Sequence, residues 1–289
     1  MELEPTLAAR VHAHQLGHLL PLLSRVARPT VRFDLAPAEA PAALGSSRVG
    51  GQPDLPPEAA WPLFQGRPLV FVAQVDLAAV APHLPDSPLP PDGLLSFFAD
   101  LAEMPASYDP ACRASFQARY TAAGTPLRRH ATPLPDYELP ASAMAFAPCL
   151  TLPHESSQHY DKLIRPALPS PDDEQLWELN RTLAAAYSPA GHETNHQLLG
   201  YSFNIQGDMQ REAQLVTNGI NCGGAEAWSS PEAQALLPGA GEWELLFQLD
   251  SDDQAELLWD DNGILYFWIR REDLRERRFD RVWGCEQDC

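Results

Sequence analysis

The sequence predicts an α+β fold that is mostly antiparallel β-structure, with two pseudo-repeated β units in one body, an N-terminal helix and a mid-chain helix. Two observations lead to this prediction. Short runs of aliphatic and aromatic residues alternate with polar turn residues, which is typical of β-strands. One pattern of such runs also occurs twice, in the same order and with nearly the same spacing, and an internal repeat constrains the architecture of a chain.

The repeated pattern has two parts. In the first part an apolar run is followed by Gln, one apolar residue and Asp, as in residues 69–76 and again in residues 244–250. In the second part a turn Gly precedes five residues that end in two aromatic ones, as in residues 93–98 and 263–268. The second copy follows the first by 174 residues at the Gln and by 170 at the Gly. We therefore predict a duplicated β module whose copies share one hydrophobic interior; chance similarity between common hairpins is the alternative.

The second copy has the most distinct pattern. Apolar runs at residues 243–250, 255–259 and 264–269 predict three short strands. Between the last two runs, residues 260–263 read Asp-Asp-Asn-Gly. This segment predicts a hairpin turn, because Asn and Gly tolerate the positive φ that tight turns need.

The N-terminal part predicts a helix over residues 6–28. Four leucines, at positions 16, 19, 20 and 23, recur with the spacing of one buried helical face. Pro21 is expected to break or kink this helix and Pro29 to end it. Residues 30–35 alternate between apolar and polar types, which predicts a strand.

The first β unit is predicted at about residues 45–152, with further candidate strands at 115–120 and 145–152. Its Gly50-Gly51 pair resembles a phosphate-binding loop only superficially, because the Lys and the strand–loop–helix context of such loops are missing. Glycines also permit backbone conformations that are closed to other residues. The pair therefore predicts a packed turn.

A helical connection is predicted at about residues 170–188. Ser170 is a good N-cap, and Pro171 and two acidic residues follow it in the first turn, where they are favourable. The second β unit is predicted at about residues 192–275. Together these parts form a single domain over residues 1–289.

The charge of the chain limits the partners that it can have. Its 20 Lys and Arg residues against 39 Asp and Glu residues give a net charge of −19. Such a surface repels phosphates and anionic lipids, so we expect neither nucleic acid nor a membrane as a partner. The same charge favours a basic protein partner, or serves solubility alone.

The five cysteines show no disulfide framework, because their number is odd and their spacings are mostly long. Reduced thiols in the cytoplasm are therefore expected. The acidic start of the chain lacks the pattern of a signal peptide, and no apolar run approaches the ~20 residues that span a membrane. We expect a cytoplasmic protein.

Residues 192–196 match the H-E-x-x-H pattern of zinc peptidases, with Glu212 or Glu226 as a possible third ligand. The chemistry needs His192 and His196 one turn apart on a helix, with the intervening Glu activating a zinc-bound water. A Gly directly before the motif and poor helix formers within it argue against a helix. We therefore expect no metal, and no fingerprint of another cofactor is present. A metal-dependent hydrolase that uses His192 and His196 remains the alternative.

Three motifs follow one another in a specific order: Gly-Gly-x-Pro-x-x-Pro at residues 50–56, Gln-x-Asp at 74–76 and 248–250, and Leu-Gly-Tyr-x-x-x-Ile-Gln at 199–206. With this order the chain resembles the YwqG-like family, a bacterial domain of unknown function, over about residues 45–275. The resemblance implies a pseudo-duplicated, mostly β fold of the α+β class. It implies no established activity, no catalytic residues and no requirement for His192.

The repeats also suggest a ligand-binding surface. A Gln ends an apolar strand in both copies and in the Ile-Gln segment, so three amides, of Gln74, Gln206 and Gln248, are expected near one groove. The alternative is that these amides satisfy backbone groups of buried loops. The full candidate set is Gln74, Asp76, His196, Gln206, Asp208, Gln248 and Asp250.

From these observations we expect a non-enzymatic binding or protein-interaction module of the bacterial cytoplasm. One specific version is an immunity-type protein whose acidic face covers a basic toxin, with fast and salt-sensitive association. The sequence identifies neither the partner nor the oligomeric state.

Overall fold

The structure, a computed structural model, describes residues 3–37, 42–168 and 172–288. The strands in this part are β1 Arg28–Pro37, β2 Arg48–Val49, β3 Asp54–Leu55, β4 Leu63–Phe64, β5 Arg67–Pro68, β6 Val70–Asp76, β7 Leu94–Ala99, β8 Phe116–Thr121, β9 Arg128–Arg129, β10 Ser142–Thr151, β11 Gln197–Leu198, β12 Trp243–Asp250, β13 Ile264–Arg270 and β14 Trp283–Gln287. The helices are α1 Leu3–Ala13, α2 Leu20–Val26, α3 Leu77–Val80, α4 Gln158–Leu163, α5 Asp173–Tyr187, α6 Met209–Val216, α7 Ala225–Ser229, α8 Pro231–Leu236 and α9 Arg271–Arg275.

Ten strands form one antiparallel sheet in the order β14-β13-β12-β11-β1-β10-β2-β6-β7-β8. Its centre is the pair of β1 and β10, which stays in register over its whole length, from Arg28 opposite Thr151 to Pro37 opposite Ser142. The outermost strands, β8 and β14, approach each other. The Phe116 ring of β8 packs directly on the Gly284 backbone of β14. The sheet is therefore a nearly closed barrel, and the predicted antiparallel α+β fold is confirmed.

The order of strands is the same on both sides of the central pair. On one side the two-residue strand β2 leads to β6, β7 and β8, and on the other side the two-residue strand β11 leads to β12, β13 and β14. A bulge at Val72 interrupts the pairing of β6 with β7, and a bulge at Leu246 interrupts that of β12 with β13. The bulge carbonyls accept backbone N–H groups from Gly50 and Leu199, respectively. The residue that follows each short strand thus donates its backbone N–H to the bulge of the next strand in the sheet, β6 for β2 and β12 for β11.

The main core fills the barrel with side chains from both sides of the central pair. The Phe97 ring of β7 stacks on the Phe247 ring of β12 with centroids 4.4 Å apart, and Phe247 also stacks on Phe33 of β1 at 5.6 Å. Stacked aromatic rings contribute energy beyond the area that they bury. The two sides of the sheet therefore share one interior.

Further apolar clusters lie outside the barrel. The helices α1, α2 and α5 cover the end of β10 through leucine side chains, among them Leu23, Leu176 and Leu179. On the other side, α6 packs through Leu215 against a cluster that includes Trp243. Helices thus cover apolar parts of the outer surface of the sheet.

The predicted turn at Gly50-Gly51 is confirmed. Gly50 has a φ of 65° and Gly51 a φ of 64°, the left-handed region that disfavours residues with a side chain. A Cβ atom at Gly50 would also collide with the carbonyl of Pro140. Packing against the backbone, and not a phosphate, explains the two glycines.

The single N-terminal helix predicted over residues 6–28 is wrong. The structure has two helices, α1 and α2, separated by a break at Gln15, whose φ is 62°, and by a short 3-10 turn at Gly17–Leu19. Pro21 lies in the first turn of α2. A missing N–H is harmless at that position, so Pro21 begins a helix where we predicted a kink.

The predicted strand at residues 255–259 is also wrong. A 3-10 turn, Asp253–Ala255, replaces its beginning, because the Asp252 carboxylate accepts the N–H groups of Gln254 and Ala255. The predicted turn at residues 260–263 has positive φ at Asp260 and Asn262. The connection between β12 and β13 is therefore a long loop and not a tight hairpin.

Two boundaries also differ from the prediction. Ser170 and Pro171, the predicted start of the mid-chain helix, lie outside the described residues, and α5 is described from Asp173 onwards. The second β unit, predicted to end near residue 275, gains the strand β14 beyond it. The sequence of β14, Trp-Gly-Cys-Glu-Gln, is too short and too mixed in character to show a strand pattern.

We predict that Phe247→Ala lowers the free energy of unfolding by about 3–5 kcal/mol, because it removes the ring that joins the two sides of the core. Urea denaturation measures this loss. Leu63→Ala is the control, since Leu63 is exposed on β4. A loss below about 1 kcal/mol at Phe247 would contradict the shared core.

Candidate functional site

The predicted ligand-binding glutamines Gln74 and Gln248 both lie inside the protein with 0% of their surface exposed. The Gln74 side chain accepts the Asp54 N–H through Oε1 at 2.8 Å and donates through Nε2 to the Ser46 carbonyl at 2.8 Å. A loop that surrounds the short strand β2 is thus held at both ends by one amide. Because donor and acceptor are both in use, Gln74 has little capacity left for a ligand.

Gln248 holds the loop around β11 in the same manner. Its Oε1 accepts the Phe203 N–H at 3.0 Å, and its Nε2 donates to the Asn195 carbonyl at 2.6 Å. Ser46 and Asn195 each lie two residues before their short strand. The two amides therefore make matching bonds to two loops, as in the alternative that assigns them to buried backbone groups.

His196 is buried and has both ring nitrogens occupied. Nδ1 accepts the N–H of Asp250 at 3.1 Å, Nε2 faces Oδ2 of Asp252 at 3.3 Å, and the ring stacks on Phe33. Residues 191–196 form no helix, so the one-turn spacing that H-E-x-x-H requires is not present. Within residues 3–37, 42–168 and 172–288, no group of three or more His, Cys, Asp or Glu side chains could hold a metal ion.

The three predicted aspartates bind backbone N–H groups. Asp76 caps α3, and Asp208 caps α6 and also accepts the Gln158 N–H at 2.8 Å. Asp250 accepts the Asn195 N–H at 2.8 Å. Burial raises the pKa of the Asp208 and Asp250 carboxyls. These roles stabilise local structure, as caps generally do.

Gln206 differs from the other two glutamines because it is exposed and donates to the Asp288 carboxylate near the end of the chain. The three amides therefore do not share a groove. His196 lines a cavity of about 30 Å³ and Asp208 lines one of about 10 Å³. Volumes of this size hold one or two water molecules and no larger ligand.

An open groove of about 530 Å³ has a more suitable size and chemistry. It lies among the loop that follows β7, the loop that precedes β10, the loop between β12 and β13, and the strand β14. We call it the acidic groove, and define it by the carboxylates Asp136, Glu138, Asp260 and Glu286 together with the apolar side chains Met104, Tyr137 and Leu258.

The apolar residues of the acidic groove are exposed to solvent. The exposed fraction is 63% for Leu258, 45% for Tyr137 and 37% for Met104. A single exposed apolar side chain is ordinary, but three that line one groove indicate an interaction surface. Carboxylates beside them add a preference for cationic groups.

Two polar atoms of the acidic groove lack a hydrogen bond within the described part of the chain. They are Nε1 of Trp259 and Oε1 of Glu286, and both are buried. Buried polar atoms are nearly always satisfied, by protein, water or ligand. Both atoms are buried, so the polar groups that the groove exposes to a partner are carboxylates, those of Asp136, Glu138 and Asp260.

Burial raises the pKa of Glu286 to about 7, and the neighbouring Asp260 and Asp288 carboxylates add to this rise. Glu286 is thus half-protonated near neutral pH, and the charge of the groove depends on pH in this range. A cation that enters the groove favours the ionised form and lowers this pKa again.

The sequence interpretation missed the acidic groove. Leu258 and Trp259 lie in the segment that we predicted as a strand, and Asp260 lies in the predicted turn. Residues from four separate segments form the groove, so no local motif marks it. The local signal for the groove is a run of three apolar residues followed directly by two acidic ones, at positions 257–261.

Comparisons with known proteins identify the family to which this sequence is related. The model of a family described as "Domain of unknown function (DUF1963)" matches residues 47–289, most of the chain. No curated protein matches the chain. In the described residues, no helix combines the length and the apolar character that crossing a membrane requires.

We predict that Gln248→Ala and Gln74→Ala each lower the free energy of unfolding by about 2–4 kcal/mol, because each leaves a buried N–H and a buried carbonyl without partners. Gln206→Ala, an exposed control, is expected to change it by less than about 0.5 kcal/mol. Chemical denaturation of the three variants checks this order, and equal losses in all three contradict it.

A second prediction concerns pH. Because the pKa of Glu286 rises from 4.5 to about 7 on folding, the unfolded chain ionises first as the pH increases. Ionisation of Glu286 therefore leaves the free energy of unfolding unchanged below pH ~4.5 and lowers it increasingly between pH ~4.5 and about pH 7. Above about pH 7 the decrease is constant. Glu286→Gln is expected to be more stable than the natural protein at pH 8 and to lose this advantage at pH 4.

Denaturation curves at pH 4, 6 and 8 measure the effect of Glu286→Gln. Glu232→Gln is the matched control, because Glu232 is exposed on α8 and its variant should follow the natural protein at each pH. An advantage of Glu286→Gln that does not change with pH argues against the raised pKa.

Proposed function

The chain belongs to the DUF1963 family, whose description assigns no activity, and from the acidic groove we propose that it is a non-enzymatic protein-interaction module. The observation that carries this proposal is the combination, in one open groove, of three exposed apolar side chains with four carboxylates. The partner that fits this groove is a basic protein segment in which cationic and apolar residues alternate.

The electrostatics of the whole chain support a basic partner. The net charge of −19 attracts cationic proteins over long distances and accelerates their association. Exposed apolar contacts then slow dissociation, because buried aromatic and aliphatic groups supply most of the energy of an interface. Such binding weakens with ionic strength, whereas purely apolar binding does not.

The carboxylates of the groove fit a basic peptide. Asp136, Glu138 and Glu286 can accept from N–H groups or cationic side chains of the partner. Because a cation favours ionised Glu286, binding near pH 7 releases a proton from this carboxyl. An immunity-type protein that covers a basic toxin in the bacterial cytoplasm is one form of this function.

We also propose that the chain is a YwqG-like protein in which one β module is duplicated. The equal order of strands on both sides of β1 and β10, the matching bulges at Val72 and Leu246, and the matching bonds of Gln74 and Gln248 support the duplication. In this proposal Gln74, Gln248, Asp250 and His196 secure the two equivalent loops, and the ligand surface lies elsewhere.

The test uses a defined probe, an acetylated and amidated hexapeptide in which Lys and Leu alternate. Isothermal titration calorimetry of the natural protein should give saturable binding that weakens when the salt concentration rises from 50 to 300 mM. A peptide with Glu in place of Lys should not bind, because the groove repels it.

Matched variants locate the binding. Leu258→Ser should lower the affinity for the basic peptide by about tenfold, as expected for the loss of one buried apolar contact. Leu63→Ser, which changes a similarly exposed leucine that does not line the groove, should have no effect. Equal affinities of the two variants, or equal binding of both peptides, would disprove this function for the groove.

A further inference from the structure

A second groove has the opposite charge character to the acidic groove. It encloses about 1010 Å³ and lies where the barrel fails to close, beside β8 and the segment that precedes β14. We call it the arginine groove, because Arg113, Arg119, Arg270 and Arg281 line it. Two carboxylates, of Asp273 and Asp280, also line it, so cations outnumber anions there.

Among the residues that the structure describes, three of the four arginines of this groove have no acidic partner. Arg281 lies 3.5 Å from Asp273, and Asp273 also binds Arg278 at 2.6 Å. Within the described part of the chain, Arg113, Arg119 and Arg270 have no carboxylate within 4.0 Å. The sequence has 39 acidic residues for 20 basic ones, so this excess of positive charge in one groove is contrary to its composition.

Neutral groups hold Arg270 in position. Its Nη2 donates to Oε1 of Gln214 at 2.7 Å, and its guanidinium lies 4.9 Å from the centre of the Trp243 ring. The Trp243 indole N–H also donates to Oε1 of Gln214, at 3.2 Å. A guanidinium has five N–H donors, so this arrangement orients Arg270 and leaves most of its donors for another molecule.

Arg119 is held in a similar way on the strand β8. It donates to the Ala60 carbonyl and lies 6.0 Å from the centre of the Phe98 ring. Burial lowers its pKa, which means that its charge is partly removed from water without a counter-charge nearby. A cation in this situation is stabilised by an anion that binds beside it.

We propose that the arginine groove binds a small molecule through an oxyanion, with Arg119 and Arg270 as its main contacts. Phosphates and carboxylates both present a pair of oxygens that a guanidinium recognises with two parallel hydrogen bonds. Apolar side chains of Phe116, Val282 and Trp243 also line the groove, so it has space and contacts for the rest of such a molecule. This site is separate from the acidic groove and takes a ligand of opposite charge.

The test is isothermal titration calorimetry of the full chain with sodium pyrophosphate and with sodium citrate, at constant ionic strength. Sodium chloride at equal charge is the blank. At least one of the two probes should bind saturably. Tighter binding of pyrophosphate assigns the site to phosphate compounds, and tighter binding of citrate assigns it to carboxylates. If neither probe gives more heat than chloride does, the proposal is wrong.

Variants test whether the arginines carry the binding. Arg270→Gln should weaken it by about tenfold or more, because hydrogen bonds to a charged group are lost. The affinity of Arg270→Lys should lie between those of the natural protein and Arg270→Gln. Lysine keeps the positive charge but cannot form two parallel hydrogen bonds as a guanidinium does. Arg113→Gln changes an exposed residue whose side chain makes no hydrogen bond or ion pair within the described part of the chain. The variant should therefore fold normally and weaken binding several-fold.

Arg25→Gln is the control, because Arg25 is exposed on α2 and does not line the groove. It should bind the probes as the natural protein does. If Arg270→Gln and Arg113→Gln both match Arg25→Gln, any binding occurs elsewhere and the assignment fails. Leu258→Ser, the variant of the acidic groove, should leave oxyanion binding unchanged, so the two sites are tested independently.

Discussion

The continuity of the barrel depends on two buried amides. Only the two-residue strands β2 and β11 connect the central pair, β1 and β10, to the three strands on each side. Such short strands leave much of the adjoining backbone without sheet partners, and a buried N–H or carbonyl that lacks a partner is costly. Gln74 and Gln248 supply the missing donor and acceptor beside each short strand. The shared aromatic core can form because these two connections hold the sides of the sheet together.

A nearly closed sheet also determines where grooves can form. One groove lies along the gap beside β8, where the sheet has no further strand to pair with and arginines line the opening. The other lies among loops near β14, where acidic and apolar side chains meet. The interior of the barrel is filled by apolar side chains, among them stacked phenylalanine rings. Both proposed ligands therefore bind on the outside of the barrel, at places where the strands end or fail to pair.

Several parts of the fold could be predicted because their cause is local. The alternation of apolar and polar residues identified β1, and the pattern of Gln-x-Asp identified β6 and β12. Gly50-Gly51 predicted a tight turn, since few other residues adopt that backbone. Failures arose where one side chain redirected the backbone. Gln15 interrupts the first helix, and Asp252 captures two N–H groups in a segment that otherwise resembles a strand.

By itself, the sequence determined the class of fold, the acidic charge and the order of the matching motifs, because these follow from composition and short-range periodicity. Only the tertiary structure decided what the polar residues do. Gln74 and Gln206 have the same side chain, but one is buried in a loop connection and the other is exposed. The two grooves are likewise products of tertiary structure, since each brings together segments that are distant in the chain. Burial and proximity depend on the packing of the whole molecule, and no short segment of sequence contains that information.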